Sequence, residues 1–157
     1  LQQDHWGDVI LITQNVDSLH EAAGARALHM HGRLDHACCD SCAADWSAPQ
    51  VMSADDLCPS CGAQATRPDI VWFGEMPKGL EDIALHLETA DLFAAIGTSG
   101  QVYPAAGFVA EAARYGAETV EINLQPSEVA GLFDHQILGP ASETVPRWVA
   151  DLLAAKP

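Results

Sequence analysis

Apolar and polar positions in this chain fall into blocks, with short apolar runs that end in small polar residues and are followed by stretches of helical spacing. Residues 8–13 (DVILIT) form a continuous apolar run, the pattern of a strand buried on both faces of a parallel sheet. It stops abruptly at Gln14, and residues 16–23 read as a short helix closed by Gly24. Residues 70–73 are a short apolar run and 80–89 have helical spacing. Residues 91–97 (DLFAAIG) read as a second buried strand. Pro104 suits the first turn of a helix running through 105–115 and stopping at Gly116. Residues 118–124 (ETVEINL) alternate as a third strand, and 142–155 form an amphipathic closing helix with Ser142 as its cap. Strands alternating with helices predict an α/β fold: a Rossmann-like parallel sheet with right-handed crossovers.

One segment breaks this rhythm. Cys39, Cys42, Cys58 and Cys61 form two CxxC pairs with fifteen residues between them, and Pro49, Pro59 and Gly62 supply turns. Two such knuckles folded together make the closed sulfur cage that structural Zn2+ prefers. Cys38 is left over; Cys38 or Cys39 could pair with Cys42, but only Cys39 reproduces the two-residue gap of Cys58 and Cys61. The predicted organisation is a Rossmann-like domain over residues 1–35 and 68–157, with a small zinc-ribbon module inserted at 36–67. A helix tail at residues 1–6 leads directly into a buried strand, without the βα unit that usually carries a nucleotide-binding glycine loop. The sequence therefore reads as a fragment.

Composition narrows the partners. At 157 residues, 48% apolar and 18% charged, the chain has material for one core and is not a disordered sequence. With 22 acidic against 7 basic residues the net charge is −15, which opposes binding to a phosphate backbone, so the zinc module is not expected to read nucleic acid. The acidity serves solubility or attracts lysine-rich protein segments. No run has the unbroken apolar length of a membrane span and no basic leader precedes an apolar stretch. The expectation is a soluble, cytoplasmic protein without membrane or nucleic-acid partners, its oligomeric state not legible.

The polar residues that end the apolar runs are the candidates for chemistry. Gln14, Asn15 and Asp17 follow the first strand, at the carboxyl end where open α/β sheets bind ligands. Gly97, Thr98 and Ser99 follow the second, either to approach a phosphate or ribose or for conformational reasons alone. Asn123 ends the third, as a ribose ligand or a turn former. Among seven histidines His31 stands apart, lying between the polar strand end and the first knuckle with Gly32 behind it. An imidazole there suits a general base, against which stand a structural histidine and a zinc ligand, the latter disfavoured because four thiolates complete the shell.

The segments TQNVDSLH (13–20), HMHG (29–32), the paired CxxC, VWFGE (71–75), GTSGQVYPAAGF (97–108), EINLQPS (121–127) and GPAS (139–142), in this order and spacing, resemble the sirtuins. The branch most similar is class III, which removes acetyl, succinyl and related acyl groups from lysine. The resemblance implies an NAD-dependent protein-lysine deacylase that releases nicotinamide and moves the acyl group to ADP-ribose. It makes His31 the base that activates a ribose hydroxyl. It places Gln14 on the nicotinamide ribose, Asn15 on an ordered water, and Asp17 with the Val16 backbone on the carboxamide. Gly97, Thr98 and Ser99 would line the dinucleotide path, Asn123 would meet the adenine ribose, Leu124 and Gln125 would be further cofactor contacts, and the Ala141 backbone would lie near adenine. Val71, Trp72, Phe73, Gly74 and Glu75 would form a strand edge to which an acyl-lysine peptide adds. The family's GAGxS loop, and the tyrosine and arginine that grip acidic acyl groups, belong before Leu1, so acyl preference is not written here. Two alternatives remain: a zinc-stapled peptide-binding module without catalysis, and ADP-ribosyl transfer to a protein from the same NAD site.

Overall fold

The computed structural model describes residues 1–155. Backbone contacts divide the chain into two compact units, one of Ile10–Leu80 and one of Leu1–Val9 with Glu81–Pro157.

The Ile10–Leu80 unit begins with β1 (Leu11–Thr13), which pairs in parallel with β2 (Ala27–His29) in the register Leu11↔Ala27 to Thr13↔His29. The apolar run beginning at residue 8 thus contributes only three residues to a strand. Ile10 is exposed, and Leu11 and Ile12 are half-buried rather than covered on both faces. The helix expected at 16–23 shortens to α1 (Leu19–Ala22) because the carbonyls of Gln14 to Val16 are bonded elsewhere, and Asp17 Oδ1 accepts the Leu19 amide at 3.0 Å to start the helix late. β3 (Gly32–Cys39), β4 (Asp45–Ser47) and β5 (Thr66–Ile70) form an antiparallel sheet in the order β4-β3-β5. Pro68, which has no amide to donate, sits where the β3–β5 register slips between Arg33 and Ala37. β5 ends at Ile70, so residues 71–75 are not a strand. They enter a turn in which the Glu75 amide donates to the Trp72 carbonyl at 3.0 Å.

In the other unit, Leu1 accepts bonds from the Asp4 and His5 amides, making a single turn where a helix tail was expected. α2 (Leu80–Thr89) matches its expected span and buries Ile83 and Leu87, four apart on one face. β6 (Leu92–Ile96), β7 (Glu118–Asn123) and β8 (His135–Leu138) form a parallel sheet in that order. β7 is the central strand, and Thr119 to Ile122 are all buried, replacing the expected alternation; β6, expected to be buried, is exposed at Leu92 and Ile96. α3 (Phe108–Arg114), preceded by a 3-10 turn over Ala105–Gly107, packs on β6 and β7, and α4 (Ala141–Ala154) packs on β7. α4 starts one residue early, so Ser142 lies inside its first turn, exposed, and makes no capping bond. Among the described residues no helix is long and apolar enough to cross a membrane.

Asp134, just before β8, clamps the central strand: its Oδ2 accepts both the amide and the hydroxyl of the fully buried Thr119 at 2.9 Å. The Thr119 hydroxyl, then the Thr119 amide, holds the Asp134 carboxyl below its ordinary value against the opposing effect of burial. A carboxyl depressed by folding stabilises the fold above its unfolded pKa, and that contribution disappears as pH falls through the lower folded value. Asp134→Ala is therefore expected to weaken the protein at neutral pH and to flatten the acid limb of stability below about pH 4, as urea midpoints measured at several pH values would show.

Candidate functional site

Three successive carbonyls organise the polar strand end. After β1, the Gln14 carbonyl accepts from His31 Nδ1 at 3.1 Å, the Asn15 carbonyl from His29 Nδ1 at 3.1 Å, and the Val16 carbonyl from the Leu34 amide at 2.8 Å. The Thr13 hydroxyl takes the Asn15 amide at 3.1 Å and the Thr13 carbonyl takes the Met30 amide at 3.1 Å. The segment from His29 to Leu34 thus supplies a donor for each of the three carbonyls.

The two histidines are thereby set apart. A carbonyl only accepts, so Nδ1 of His31 carries the hydrogen and Nε2 keeps its lone pair. His29 spends both ring nitrogens, the second on Glu21 Oε1 at 3.0 Å. Glu21 is held below its ordinary pKa chiefly by that hydrogen bond, against burial. Of the pair, His31 is the one with a ring nitrogen not engaged by another protein group. His29 and Glu21 were not singled out from the sequence; a period-two reading of HMHG, which puts both rings on one side, would have found the first.

Gly32 makes the arrangement possible. Its φ is +81°, and a Cβ there would stand 1.9 Å from the Asp69 backbone carbonyl. β5 approaches β3 this closely only across a residue without a side chain, while the Val71 amide donates to the His31 carbonyl at 2.9 Å.

The four cysteines converge as expected. Their sulfurs all lie within 4.8 Å of one another, with Cys39 to Cys61 at 3.8 Å and Cys42 to Cys58 at 3.7 Å. Zn–S bonds of about 2.3 Å in a tetrahedron give sulfur separations of about 3.8 Å, so the set fits a zinc ion. The knuckles repeat one geometry. Cys39 donates its amide to Ala44 O and Cys58 to Ala63 O, while Ala43 and Gly62, both at positive φ, donate back to Cys39 O and Cys58 O. Cys38 alternates to the other face of β3, pairs with Arg67 in register, and is not part of the cluster.

The thiols compete for charge. Burial opposes charge on Cys58, but the Cys61 and Ser60 amides and the neighbouring thiols bring it down to about 6. At Cys61 the Ala63 amide favours the thiolate, yet Cys42, burial and the other two thiols push it up to about 12. One thiolate thus forms at the expense of another, and a divalent ion lets all four ionise together.

The other unit has its own cluster at the carboxyl ends of β6, β7 and β8, which carry Gly97, Thr98 and Ser99, then Asn123, Leu124 and Gln125, then Ala141. Asn123 Nδ2 donates to the Thr98 carbonyl at 2.7 Å and its Oδ1 accepts the Leu124 amide at 2.9 Å, so it first of all knits the loops. The Glu128 amide adds a bond to the Ser99 carbonyl at 3.1 Å. Glu121, fully buried and not anticipated, anchors the second loop by accepting the Ser127 amide at 2.9 Å. Gly97 has φ +65° and nothing within 4 Å of a Cβ position, leaving its backbone open to close approach. Residues 72–75 are exposed, with Phe73 wholly outside.

A family model described as "Sir2 family" matches residues 1–104. An "NAD-dependent protein deacylase" of Caulobacter vibrioides is 51% identical over 150 residues, covering 94% of this chain and 63% of the relative. Among solved structures, a "Sir2 homolog-NAD complex" matches with a TM-score of 0.84 at 34% identity, over 94% of this chain and 59% of that one. "Sir2Af2 bound to a myristoylated histone peptide" matches with a TM-score of 0.75 at 30% identity, over 91% and 64%. The chain thus spans about 60% of the length of these proteins.

Cys39→Ser is expected to abolish stoichiometric zinc binding, whereas Cys38→Ser should retain one zinc per chain, as metal analysis after gel filtration would show. Gly32→Ala should cost about 2 kcal/mol or more, because backbone has to move to admit the methyl group. At this chain length that lowers the thermal midpoint by about 5 °C, which calorimetry would detect.

Proposed function

The chain belongs to the Sir2 family, and on that premise we propose that it acts in the NAD-dependent removal of acyl groups from protein lysines, with nicotinamide released and the acyl group passed to ADP-ribose. The observation that carries this reading is His31, whose Nδ1 hydrogen goes to the Gln14 carbonyl and whose Nε2 is left free to accept a proton. The names of the relatives, a deacylase and a complex with an acylated histone peptide, support the same reaction and substrate class.

NAD, when bound, supplies the electrophilic ribose carbon from which nicotinamide departs. The residues fit such a guest, since Gly97 offers open backbone at a strand end and Asn123 retains an amide hydrogen after bonding Thr98. In the Ile10–Leu80 unit, Gln14, Asn15, Val16 and Asp17 are assigned to the nicotinamide end. In the other unit, Gly97, Thr98 and Ser99 are assigned to the dinucleotide path, and Asn123, Leu124, Gln125 and Ala141 to the adenosine end. His31 Nε2 takes the proton of a ribose hydroxyl, and the imidazolium formed keeps its Nδ1 bond to the Gln14 carbonyl. The loop beneath it already has hydrogen-bond donors on its Gln14, Asn15 and Val16 carbonyls, so that step requires no new backbone partner.

Val71, Trp72, Phe73, Gly74 and Glu75 are assigned to the acyl-lysine peptide, which lies along an exposed turn rather than adding to a strand. The cysteine module of residues 36–67 holds structural zinc and takes no part in the chemistry, while residues 1–35 and 68–157 are assigned to NAD binding.

In the full-length protein, His31→Ala should lower acyl-peptide-dependent nicotinamide release by about a hundredfold or more while the zinc content and thermal midpoint stay near wild type. Retained turnover would sink the base assignment. Nicotinamide release without any acyl-lysine peptide would favour ADP-ribosyl transfer instead.

A further inference from the structure

Arg67, on β5, sends each guanidinium nitrogen to a different acceptor. Nε donates to Asp40 Oδ1 at 2.7 Å, Nη1 to the Ile70 carbonyl at 2.9 Å and Nη2 to Glu75 Oε1 at 3.1 Å. Asp40 lies inside the first knuckle, between Cys39 and Cys42. Glu75 closes the turn that follows β5, its other carboxylate oxygen accepting the Trp72 amide at 3.0 Å and its own amide donating to the Trp72 carbonyl at 3.0 Å. A planar fork of five donors can hold three acceptors in fixed relative positions, which an ammonium group on a flexible stem does not do.

We infer that Arg67 is a positioning residue that fastens the turn of residues 72–75 to the first zinc knuckle, so that metal held by the four cysteines steadies the surface offered to a peptide. The role of that surface rests on the reading of the preceding subsection; the fastening itself does not. Packing cannot hold this turn, because Trp72, Phe73 and Met76 are 55%, 107% and 77% exposed. Its ends are tied down, the Val71 amide to the His31 carbonyl and the Lys78 amide to the Met30 carbonyl, each at 2.9 Å. Between those ties the Glu75 carboxylate is the clasp, and Arg67 holds the clasp. Asp40 and Glu75 are themselves exposed, and ion pairs of that kind add little to global stability. Their effect is therefore on where the turn sits and not on whether the protein folds. The knuckle end is the firm one, because Asp40 also donates its amide to the Ala65 carbonyl at 3.0 Å and its neighbour Cys39 is a buried member of the sulfur cluster.

The test uses the full-length protein as wild type, Arg67→Lys, which keeps the charge and loses the fork, and Asp40→Asn, which keeps the side-chain size and loses the charge. Amide exchange at Trp72 and Glu75 is followed by NMR with zinc bound and after chelation, with the Met30 amide as the reporter of folding. In wild type, chelation is expected to speed exchange at Trp72 and Glu75 while Met30 stays protected. Both variants should show that faster exchange with one zinc still bound per chain. Their KM for an acyl-lysine peptide should rise about five- to tenfold, the loss of one or two partly solvated charge-assisted bonds, with kcat and the KM for NAD near wild type. Exchange at Trp72 and Glu75 that is the same in zinc-bound wild type and both variants overturns the fastening. Faster exchange with an unchanged peptide KM upholds the fastening and overturns the assignment of the turn to peptide binding.

Discussion

Everything proposed for the chemistry depends on how three neighbouring carbonyls find donors. Gln14, Asn15 and Val16 leave β1 in a conformation that no helix or sheet ladder satisfies, and His31, His29 and Leu34 meet their oxygens one after another. The His29 and Leu34 bonds tie the loop and the histidine segment into one arrangement, and the His31 bond completes it. That same bond chooses the tautomer of His31. The proton-accepting nitrogen is thus a by-product of satisfying the backbone, and the neighbouring His29, which spends both nitrogens, has no such freedom.

β3 carries this order to the metal module. Gly32 begins the strand beside His31 and Cys39 ends it in the sulfur cluster, so a single eight-residue strand carries both features. The clearance at Gly32 lets β5 close on β3, and β5 in turn brings Arg67 to the knuckle. The close sulfur set fits the same scheme, since a zinc ion would offset the charge of adjacent thiolates. The four cysteines at the ends of this strand and its neighbouring loops lie close enough together to hold a zinc ion.

Much of this was legible in the sequence, and the losses have physical causes. The cysteine spacing identified the sulfur set, and alternation along β3 explains why Cys39 and not Cys38 belongs to it. α2 was found to the residue because its apolar spacing is regular. β2 and β8 were missed because they are three and four residues long and largely half-buried or exposed, with no periodic signal to read. α1 was overextended because helical spacing in residues 16–18 could not reveal that the carbonyls just before them were already engaged. The apolar residues 71–73 looked like part of a strand edge, but β5 had ended at Ile70 and Glu75 turned the chain back on Trp72.

The sequence by itself determined the α/β alternation, the four cysteines whose sulfurs fit a zinc ion and the identity of the residues that end the parallel strands, because each depends on spacing along the chain. Tertiary structure decided which nitrogen of His31 is free, that Asn123 first serves its own loops, that Glu121 anchors the turn beside it, and that Arg67 joins a knuckle to a turn. These depend on which acceptor a donor meets, and residues distant in the chain become partners only once the backbone has closed around them.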